Sequence, residues 1–305
     1  MNRKSQMQQP AGWMVFVAMS GFAAVAVAQV SNMILSRANA GHVPPFSLAT
    51  ARWSIVAIGL APFVLKELTS QTSTFWSRHW WLVFLAGFLG MFVCGGPVYI
   101  AGETTTAINM ALIMGLSPLV VVTASWFMGM EKLGVGRIIG IGLALIGAVT
   151  IILHGDVTAL HRLTLAPGDL LVLIAMLAWS GYTFLQSRAA PTLSFLARIA
   201  LFAAAGALCS LPLAIRETMI GAGSVFNWHA LQLYLLAGLV PGLFAYAGFA
   251  YLDQKFGSVR TSLVMYVAPV ASVVLSLIFL GEAPDASQLV GGALILAGLW
   301  ASLRS

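Results

Sequence analysis

Residues 115–131 read GLSPLVVVTASWFMGME, an apolar run with a proline near its start and a carboxylate thirteen residues after that proline. Residues 267–282, VAPVASVVLSLIFLGE, repeat the pattern, and Pro269 and Glu282 are again thirteen residues apart. Each lies 151 positions after its counterpart, Pro118 or Glu131. A proline inside a helix removes a backbone hydrogen bond. Its return at a fixed offset therefore indicates an internal repeat.

The composition around these two stretches is that of a membrane protein. Charged residues make up 8% of the 305 residues and hydrophobic residues 60%, whereas about 25% of an ordinary soluble domain is charged. Apolar runs of about 20 residues, long enough to cross a bilayer, recur with short connections. We therefore predict an all-α integral membrane protein with ten transmembrane helices. The ten runs cover residues 13–36, 46–65, 80–101, 105–128, 134–153, 168–187, 195–215, 229–251, 257–280 and 286–303.

The basic residues predict an orientation. If the N-terminus is cytoplasmic, eleven of the 15 lysines and arginines lie on the cytoplasmic side and four on the other. Cytoplasmic loops of membrane proteins carry such an excess, so both termini are expected in the cytoplasm and the chain in the inner (plasma) membrane. These residues are scattered singly, which favours the lipid bilayer and not a nucleic acid as the partner. Cys94 and Cys209 both fall within apolar runs, where a stabilising disulfide has no support.

The first apolar run has an alternative interpretation. Arg3 and Lys4, an apolar stretch and Ala26-Val27-Ala28 together resemble a secretory signal with a small-residue cleavage site. The run continues to Leu35, which is long enough to span a membrane. We favour a retained first helix, because cleavage would destroy the repeat.

The 151-residue offset extends over both ends of the two halves. It aligns the segment SRA at residues 36–38 with SRA at 187–189, and Gly147 with Gly298. Each half holds five predicted helices, an odd number, so the second half must enter the membrane from the opposite side. We predict a first five-helix repeat over residues 1–153, an external connecting loop over 154–167 and an inverted second repeat over 168–305. Inverted repeats place substrate near the bilayer midplane and expose it alternately to each side.

The paired prolines and glutamates are interpreted within this frame. Pro118 and Pro269 are predicted to be equivalent breaks in the fourth and ninth helices, acting as hinges beside a cavity, with harmless kinks as the alternative. Glu131 and Glu282 each follow a helix in a short turn. We interpret them as structural groups that meet the free N–H groups at the start of the next helix.

Two five-helix halves, each closing with an apolar stretch, a proline, a glutamate thirteen residues later and spaced glycines, resemble the drug/metabolite transporter superfamily, specifically EamA-type proteins. The resemblance covers nearly the whole chain. Within that family, the length, the paired cytoplasmic termini and an aromatic pocket resemble the YddG-type amino acid exporters. The resemblance implies a secondary transporter that works by alternating access and exports aromatic and other apolar amino acids. Other small metabolites or drugs are the alternative substrates.

The charges within the predicted helices narrow the substrate class. None of these helices has Asp, Glu, Lys or His near its centre, and Arg52 is expected close to the outer end of the second. The small multidrug-resistance relatives carry a glutamate in their first helix, where this chain has Gln29, Ser31 and Asn32. A proton-coupled antiporter of organic cations is therefore disfavoured, as is a carrier of phosphorylated sugars, which needs basic groups. Neutral or zwitterionic solutes remain.

The aromatic residues suggest where the substrate binds. Most of the nine tryptophans lie toward helix ends, as an interfacial belt requires, and Trp179 is the one at mid-helix. It lies in a polar stretch that the offset aligns with Ala28–Asn32 of the first helix, so the two stretches are predicted to face each other. Ordinary packing between helices is the alternative role for each residue. The predicted substrate-binding residues are Gln29, Asn32, Tyr99, Asn109, Trp179, Ser180, Tyr182, Tyr246 and Tyr266.

Three further expectations concern packing, chemistry and partners. Glycines in the fifth and tenth helices, including Gly140, Gly147, Gly291 and Gly298, are predicted to allow close packing inside one chain rather than dimerisation, and a monomer is expected. An integral-membrane enzyme is the rival class, but the five histidines form no metal-like spacing. We therefore predict no catalytic residues, no metal and no cofactor. A membrane structural or sensor protein is a third class, which flux measurements on the purified chain would separate from a transporter.

Overall fold

Helices form every regular element of the part of the chain that the structure describes. This computed structural model describes residues 12–127, 134–153, 155, 166–186, 188–223, 225–256 and 264–303. A helix satisfies its backbone hydrogen bonds internally. An apolar chain in lipid needs this, because no water is present there to bond the backbone N–H and C=O groups. The helices are α1 Gly12–Ala38, α2 Pro45–Thr69, α3 Ser73–Gly87, α4 Gly96–Ala101, α5 Ala107–Met114, α6 Ser117–Phe127, α7 Val135–Ile152, α8 Pro167–Leu185, α9 Phe195–Met219, α10 Trp228–Ala237, α11 Ala245–Phe256, α12 Val264–Leu280 and α13 Ala286–Leu303.

The all-helical prediction is confirmed for the described residues, and each of the ten predicted runs contains helical structure in its described part. Within the described ranges, five helical stretches are long and apolar enough to cross a membrane: Pro45–Thr69, Ser73–Ala101, Pro167–Leu185, Phe195–Met219 and Trp228–Leu252. Shorter apolar helices are Ala107–Val121, Ile138–Ile151, Val270–Leu280 and Ala286–Gly298. The crossing of the membrane by all ten runs stays a prediction.

Two helical stretches contain π-helical segments, one in each half. Phe88–Val93 follows α3, and Gly238–Phe244 joins α10 to α11. Pro241 lies inside the second segment, where its missing N–H explains a locally widened helix. The first segment ends at Cys94, and Gly95 then interrupts the helix before α4. The helical stretch is therefore broken near Gly95 in the first half and locally widened at Pro241 in the second.

Helices α2 and α9, the second of each half, pack against each other in antiparallel orientation. Near the end of α2, Glu67 accepts a hydrogen bond of 2.7 Å from the Ser194 hydroxyl at the start of α9. Near the end of α9, Glu217 accepts one of 2.8 Å from the Ser47 N–H at the start of α2. Each carboxylate thus lies at the positive N-terminus of the other helix, where it is stabilising.

Helices α7 and α13, the last of each half, show the same relation. A Cβ built on Gly147 would lie 2.5 Å from the Gly291 carbonyl oxygen, and one on Gly298 would lie 2.4 Å from that of Gly140. The later glycine of one helix therefore meets the earlier glycine of the other, which makes the pair antiparallel. The prediction that these glycines allow close packing within one chain is confirmed.

Contacts among the other helices are reciprocal between the halves. The first helix of the first half, α1, packs on α12, the fourth helical stretch of the second half. Correspondingly, α8, the first helix of the second half, packs on α5 and α6. This reciprocity, with the two antiparallel pairs, is the arrangement that an inverted repeat requires.

The two prolines of the repeat occupy different backbone settings. The helix breaks at Gly115 and Leu116 between α5 and α6, and Pro118 lies in the first turn of α6. Proline is tolerated there because that N–H has no helical partner. Pro269 is the sixth residue of α12, which continues across it. The side chain of Pro269 lies outside the described part, and the hinge role of both prolines stays a prediction.

The predicted capping role of Glu282 is wrong. Its Oε1 accepts a hydrogen bond of 2.7 Å from Nε of Arg37, which forms a salt bridge between the end of α1 and the turn before α13. Asp285 performs the capping, because its Oδ1 accepts from the Gln288 N–H at 2.8 Å. Glu131, the counterpart of Glu282, lies outside the described residues.

Candidate functional site

A cavity lies between helices of the two halves. The first half contributes residues of α1, α2, α4 and α5, and the second half contributes residues of α8, α11, α12 and the second π-helical segment. The lining residues are Gln29, Val30, Asn32, Met33, Arg52, Cys94, Val98, Ala111, Met114, Gly115, Trp179, Pro241, Tyr246 and Ala268.

Helix α1 supplies two amides to the cavity wall. Gln29 and Asn32 are three residues apart, so they lie on one face of the helix. Ser31 is directed elsewhere, and its hydroxyl donates to the Ala28 carbonyl oxygen at 2.7 Å. Nε2 of Gln29 is buried without a hydrogen-bond partner among the described residues. The amide of Gln29 therefore has hydrogen-bonding capacity that the described part of the protein does not use.

Arg52 lies in the wall of this cavity, and its burial inside the protein does not follow from its place along the helix. Only 1% of the residue is exposed. It is seven residues beyond the start of α2 at Pro45, about 10 Å along the helix axis. The same finding corrects the inference that basic groups are missing from the pathway.

Neutral groups hold the Arg52 guanidinium in place. Nη1 donates to Oδ1 of Asn32 and, at 3.1 Å, to the hydroxyl of Tyr99. Nη2 donates to the Pro241 carbonyl oxygen at 2.8 Å. The guanidinium carbon lies 4.4 Å from the centre of the Trp53 ring, where the ring face attracts a cation. These contacts let a cation occupy an apolar interior, where charged groups are usually functional.

Another part of the cavity wall is aromatic. Trp179 lines it from the middle of α8 and meets the Tyr246 ring edge-to-face at 5.4 Å between centroids. The Tyr246 hydroxyl donates to the Gly90 carbonyl oxygen at 2.8 Å. Phe249 packs on Trp179 from the side, at 5.9 Å. The wall therefore presents flat apolar faces, while the one hydroxyl of the pair is already hydrogen-bonded.

Trp179 is not the only buried tryptophan among the described residues. Trp53 is fully buried, its indole N–H donates to the Met91 carbonyl oxygen at 2.7 Å, and its ring meets Tyr246 at 5.1 Å. Five other tryptophans, Trp80, Trp81, Trp126, Trp228 and Trp300, are well exposed on the protein surface.

The structure brings four of the nine predicted substrate-binding residues to the cavity, Gln29, Asn32, Trp179 and Tyr246. Two more support these from behind. Tyr99 donates its hydroxyl to Asn32 at 3.1 Å, and Tyr182 packs on Trp179 at 5.3 Å between ring centroids. The predicted apposition of the α1 and α8 polar stretches therefore appears as one shared cavity.

The remaining three predicted residues do not line the cavity or cannot be placed. The Ser180 hydroxyl donates to the Met176 carbonyl oxygen at 2.9 Å, within its own helix. Asn109 accepts a hydrogen bond of 2.7 Å from Gln288 and donates to Asp169 at 3.4 Å. The side chain of Tyr266 lies outside the described part of the structure.

The network around Asn109 is separate from the cavity and was not predicted. Asp169 is fully buried in the first turn of α8 and accepts hydrogen bonds from Thr105 and Asn109. A carboxylate at a helix N-terminus is stabilised by the helix dipole. The hydrogen bonds of Asn109 join α5, α8 and α13, so their role is structural.

Arg52 is the principal cavity residue that the sequence analysis missed. A usable signal was present, because an arginine follows a similar apolar context in each half, LATAR ending at Arg52 and FLAR ending at Arg198. A charge retained inside two corresponding apolar runs indicates a function more strongly than a charge at one helix end does. Pro241 and Cys94 also reach the cavity, and their sequence context gives no comparable signal.

Comparison with known proteins gives the family. The model of the EamA-like transporter family matches this chain twice, over residues 12–153 and 166–304. The transporter YyaM of Bacillus subtilis is 23% identical over 87% of this chain and 86% of its own length. A WAT1-related protein of Arabidopsis thaliana is 27% identical over 81% of this chain and 71% of its own.

A solved crystal structure shares the fold. It superposes with a TM-score of 0.63 at 23% sequence identity and covers 93% of this chain and 96% of the other. The two family matches together span nearly the whole chain and divide it where the second set of helices begins. The chain belongs to the EamA-like transporter family and is a multi-pass membrane protein of that family.

Proposed function

We propose that this chain is a secondary transporter of small neutral or zwitterionic metabolites and exports amino acids with aromatic or other apolar side chains. It would work by alternating access between two inverted five-helix halves. Membership of a transporter family supports the general activity. Three points go beyond family membership and are proposed: the amino acid substrate, the export direction and the ten-span inverted arrangement.

The observation that carries the proposal is the cavity between the two halves, whose lining combines amides and a cation with aromatic faces. A site of this kind matches a ligand with a charged end and an apolar body. Its position between the halves suits alternating access, because a movement of one half against the other would change the cavity's opening.

Phosphorylated sugars stay disfavoured as substrates although Arg52 lines the cavity. A phosphate monoester carries about two negative charges at neutral pH. Arg52 provides one positive charge, and no other lining residue among those described is basic. One negative charge would therefore remain uncompensated in an apolar site.

Counterflow in proteoliposomes that contain only the purified chain tests the function. Vesicles loaded with unlabelled phenylalanine should accumulate labelled phenylalanine transiently, while vesicles loaded with a sugar phosphate or a cationic dye should not. Leucine and tryptophan should exchange in the same way. Accumulation driven by the dye or the sugar phosphate, and not by any amino acid, would contradict the proposed substrate.

The predicted orientation has both termini in the cytoplasm, and single-cysteine labelling tests it. Ser70 and Ala222 are both exposed, in the connections after α2 and after α9. In a variant whose Cys94 and Cys209 are replaced by alanine, a membrane-impermeant maleimide applied to intact cells should label Ala222→Cys and leave Ser70→Cys unmodified. The reverse pattern would invert the orientation, and equal labelling from outside would contradict the inverted repeat.

Transport is expected not to require a titrating carboxylate. Among the described residues, none that lines the cavity is acidic, and proton routes through membranes usually depend on such groups. Downhill amino acid flux should therefore persist when a protonophore collapses the pH gradient. Strict dependence on an imposed gradient would refute this expectation, and loss of that dependence in Asp169→Asn would identify the buried Asp169 as the titrating group.

A further inference from the structure

The cavity has an unbalanced charge. Arg52 is the one ionised side chain among the described lining residues, and its hydrogen-bond acceptors, Asn32, Tyr99 and the Pro241 carbonyl, are all neutral. Arg37 differs, because its guanidinium is paired with Glu282 at 2.7 Å. The positive charge of Arg52 is thus stabilised by hydrogen bonds to neutral groups and is not neutralised by the described part of the protein.

Two buried donors beside this charge also lack acceptors. Nε of Arg52 and Nε2 of Gln29 have no hydrogen-bond partner among the described residues. A guanidinium has five N–H donors and the NH₂ group of an amide has two, and these nitrogen atoms cannot accept a hydrogen bond. A buried donor without a partner is costly, particularly on a charged group. Two donors here therefore lack an acceptor, and the positive charge of Arg52 lacks a negative one among the described lining residues.

We propose that the substrate is a monocarboxylate with an apolar body, that its carboxylate is bound by Arg52 and Gln29, and that an α-ammonium group is not required. The inference rests on the proposed transport function, whose substrate class it redefines by the carboxylate. One carboxylate cancels the charge of Arg52 and supplies strong acceptors to both amide and guanidinium. The apolar body lies against Trp179 and Tyr246, which also line the cavity.

The ammonium is dispensable because the cavity offers it no counter-charge. No acidic residue lines the cavity in the part of the chain that the structure describes. Oδ1 of Asn32 already accepts from Arg52 and Tyr99. On entering the cavity, an ammonium group would therefore lose its hydrogen bonds to water and find only weak hydrogen-bond acceptors close to the positive charge of Arg52. Aliphatic and aromatic carboxylates without an amino group should accordingly use the same site as apolar amino acids.

Three ligands with one carbon skeleton test the proposal on the unaltered protein. Phenylalanine carries both charges, 3-phenylpropionate only the carboxylate and phenethylamine only the ammonium. Binding to the purified chain in nanodiscs should be similar, within about threefold, for the first two. It should be about 10- to 150-fold weaker for phenethylamine, the range expected for the loss of a charged hydrogen-bonded contact.

Charge-removing variants locate the carboxylate contact. Arg52→Gln should weaken 3-phenylpropionate binding by about 10- to 150-fold, whereas Arg37→Gln, which removes the same charge from a pair outside the cavity, should leave it unchanged. Gln29→Leu removes a donor without disturbing the acceptors of Arg52 and should weaken binding by about 2- to 12-fold. Gln29→Leu keeps the contact testable if Arg52→Gln does not fold.

The outcomes separate this proposal from the proposed function. If phenethylamine binds as well as 3-phenylpropionate, or a folded Arg52→Gln protein keeps its carboxylate affinity, the carboxylate proposal is overturned even where phenylalanine counterflow persists. If 3-phenylpropionate binds with the expected dependence on Arg52 and phenylalanine is not transported, amino acid export fails and the carboxylate proposal stands. Failure of all three ligands to bind overturns the carboxylate proposal.

Discussion

Replacing Gly147 with alanine is expected to destabilise the folded protein by about 2–3 kcal/mol, the upper range for an overpacked core position. The new Cβ would lie 2.5 Å from the Gly291 carbonyl oxygen and 3.0 Å from the Ile295 side chain and backbone nitrogen. A backbone oxygen cannot move aside as a flexible side chain can, so α7 and α13 must separate. Equilibrium unfolding in mixed micelles measures the loss, and Gly147→Val should yield little folded protein.

Gly142→Ala is the matched control for this prediction. Gly142 lies in the same helix, α7, and a Cβ there meets nothing within 4 Å. Because alanine favours a helix over glycine by about 1 kcal/mol, this substitution should be neutral or slightly stabilising. Equal stability of the Gly147→Ala and Gly142→Ala proteins would show that the α7–α13 contact is looser than the structure has it.

The contact at Gly147 also shows why much of the fold could be predicted from the sequence. Apolar runs long enough to span a bilayer need helices, and small residues that recur at one offset mark where two helices approach closely. Neither inference depends on tertiary contacts. The reciprocal capping by Glu67 and Glu217 could not be predicted, because it requires knowledge of which helix ends meet.

The candidate site was only partly predictable, for a related physical reason. The 151-residue offset pairs the polar stretch of α1 with the middle of α8, and residues of both line the cavity. It did not reveal that Arg52 lies inside the protein, because hydropathy places a charge at the nearest helix end unless its partners are known. Asn32, Tyr99 and the Pro241 carbonyl come from three separate helical stretches.

Asn109 illustrates the opposite error. An amide in an apolar helix was expected in the cavity, but it bonds to Asp169 and Gln288 in a network between helices. A buried polar group must find hydrogen-bond partners wherever it lies. Its residue type therefore indicates burial with partners and does not by itself indicate contact with substrate.

Replacing Trp179 with alanine is expected to weaken binding of an aromatic substrate by about 5- to 150-fold, equivalent to about 1–3 kcal/mol of lost apolar contact. Trp179 lines the cavity from mid-helix and is 6% exposed, so its free surface is the part that faces the cavity. Loss of the indole should also reduce the preference for phenylalanine over alanine, because the ring contacts the side chain and not the charged end. Competition in counterflow measures both quantities.

Phe202→Ala separates substrate contact from packing. Phe202 is as well buried as Trp179 and meets Tyr182 edge-to-face at 5.8 Å, yet it does not line the cavity. Both substitutions delete a large buried ring and should lower stability by about 3–5 kcal/mol. Trp179→Ala alone should lose affinity, because a packing defect behind Tyr182 leaves the cavity wall in place. If a folded, monodisperse Trp179→Ala protein kept both affinity and preference, the indole would be a packing group of α8 and the aromatic wall would have to be assigned to Tyr246.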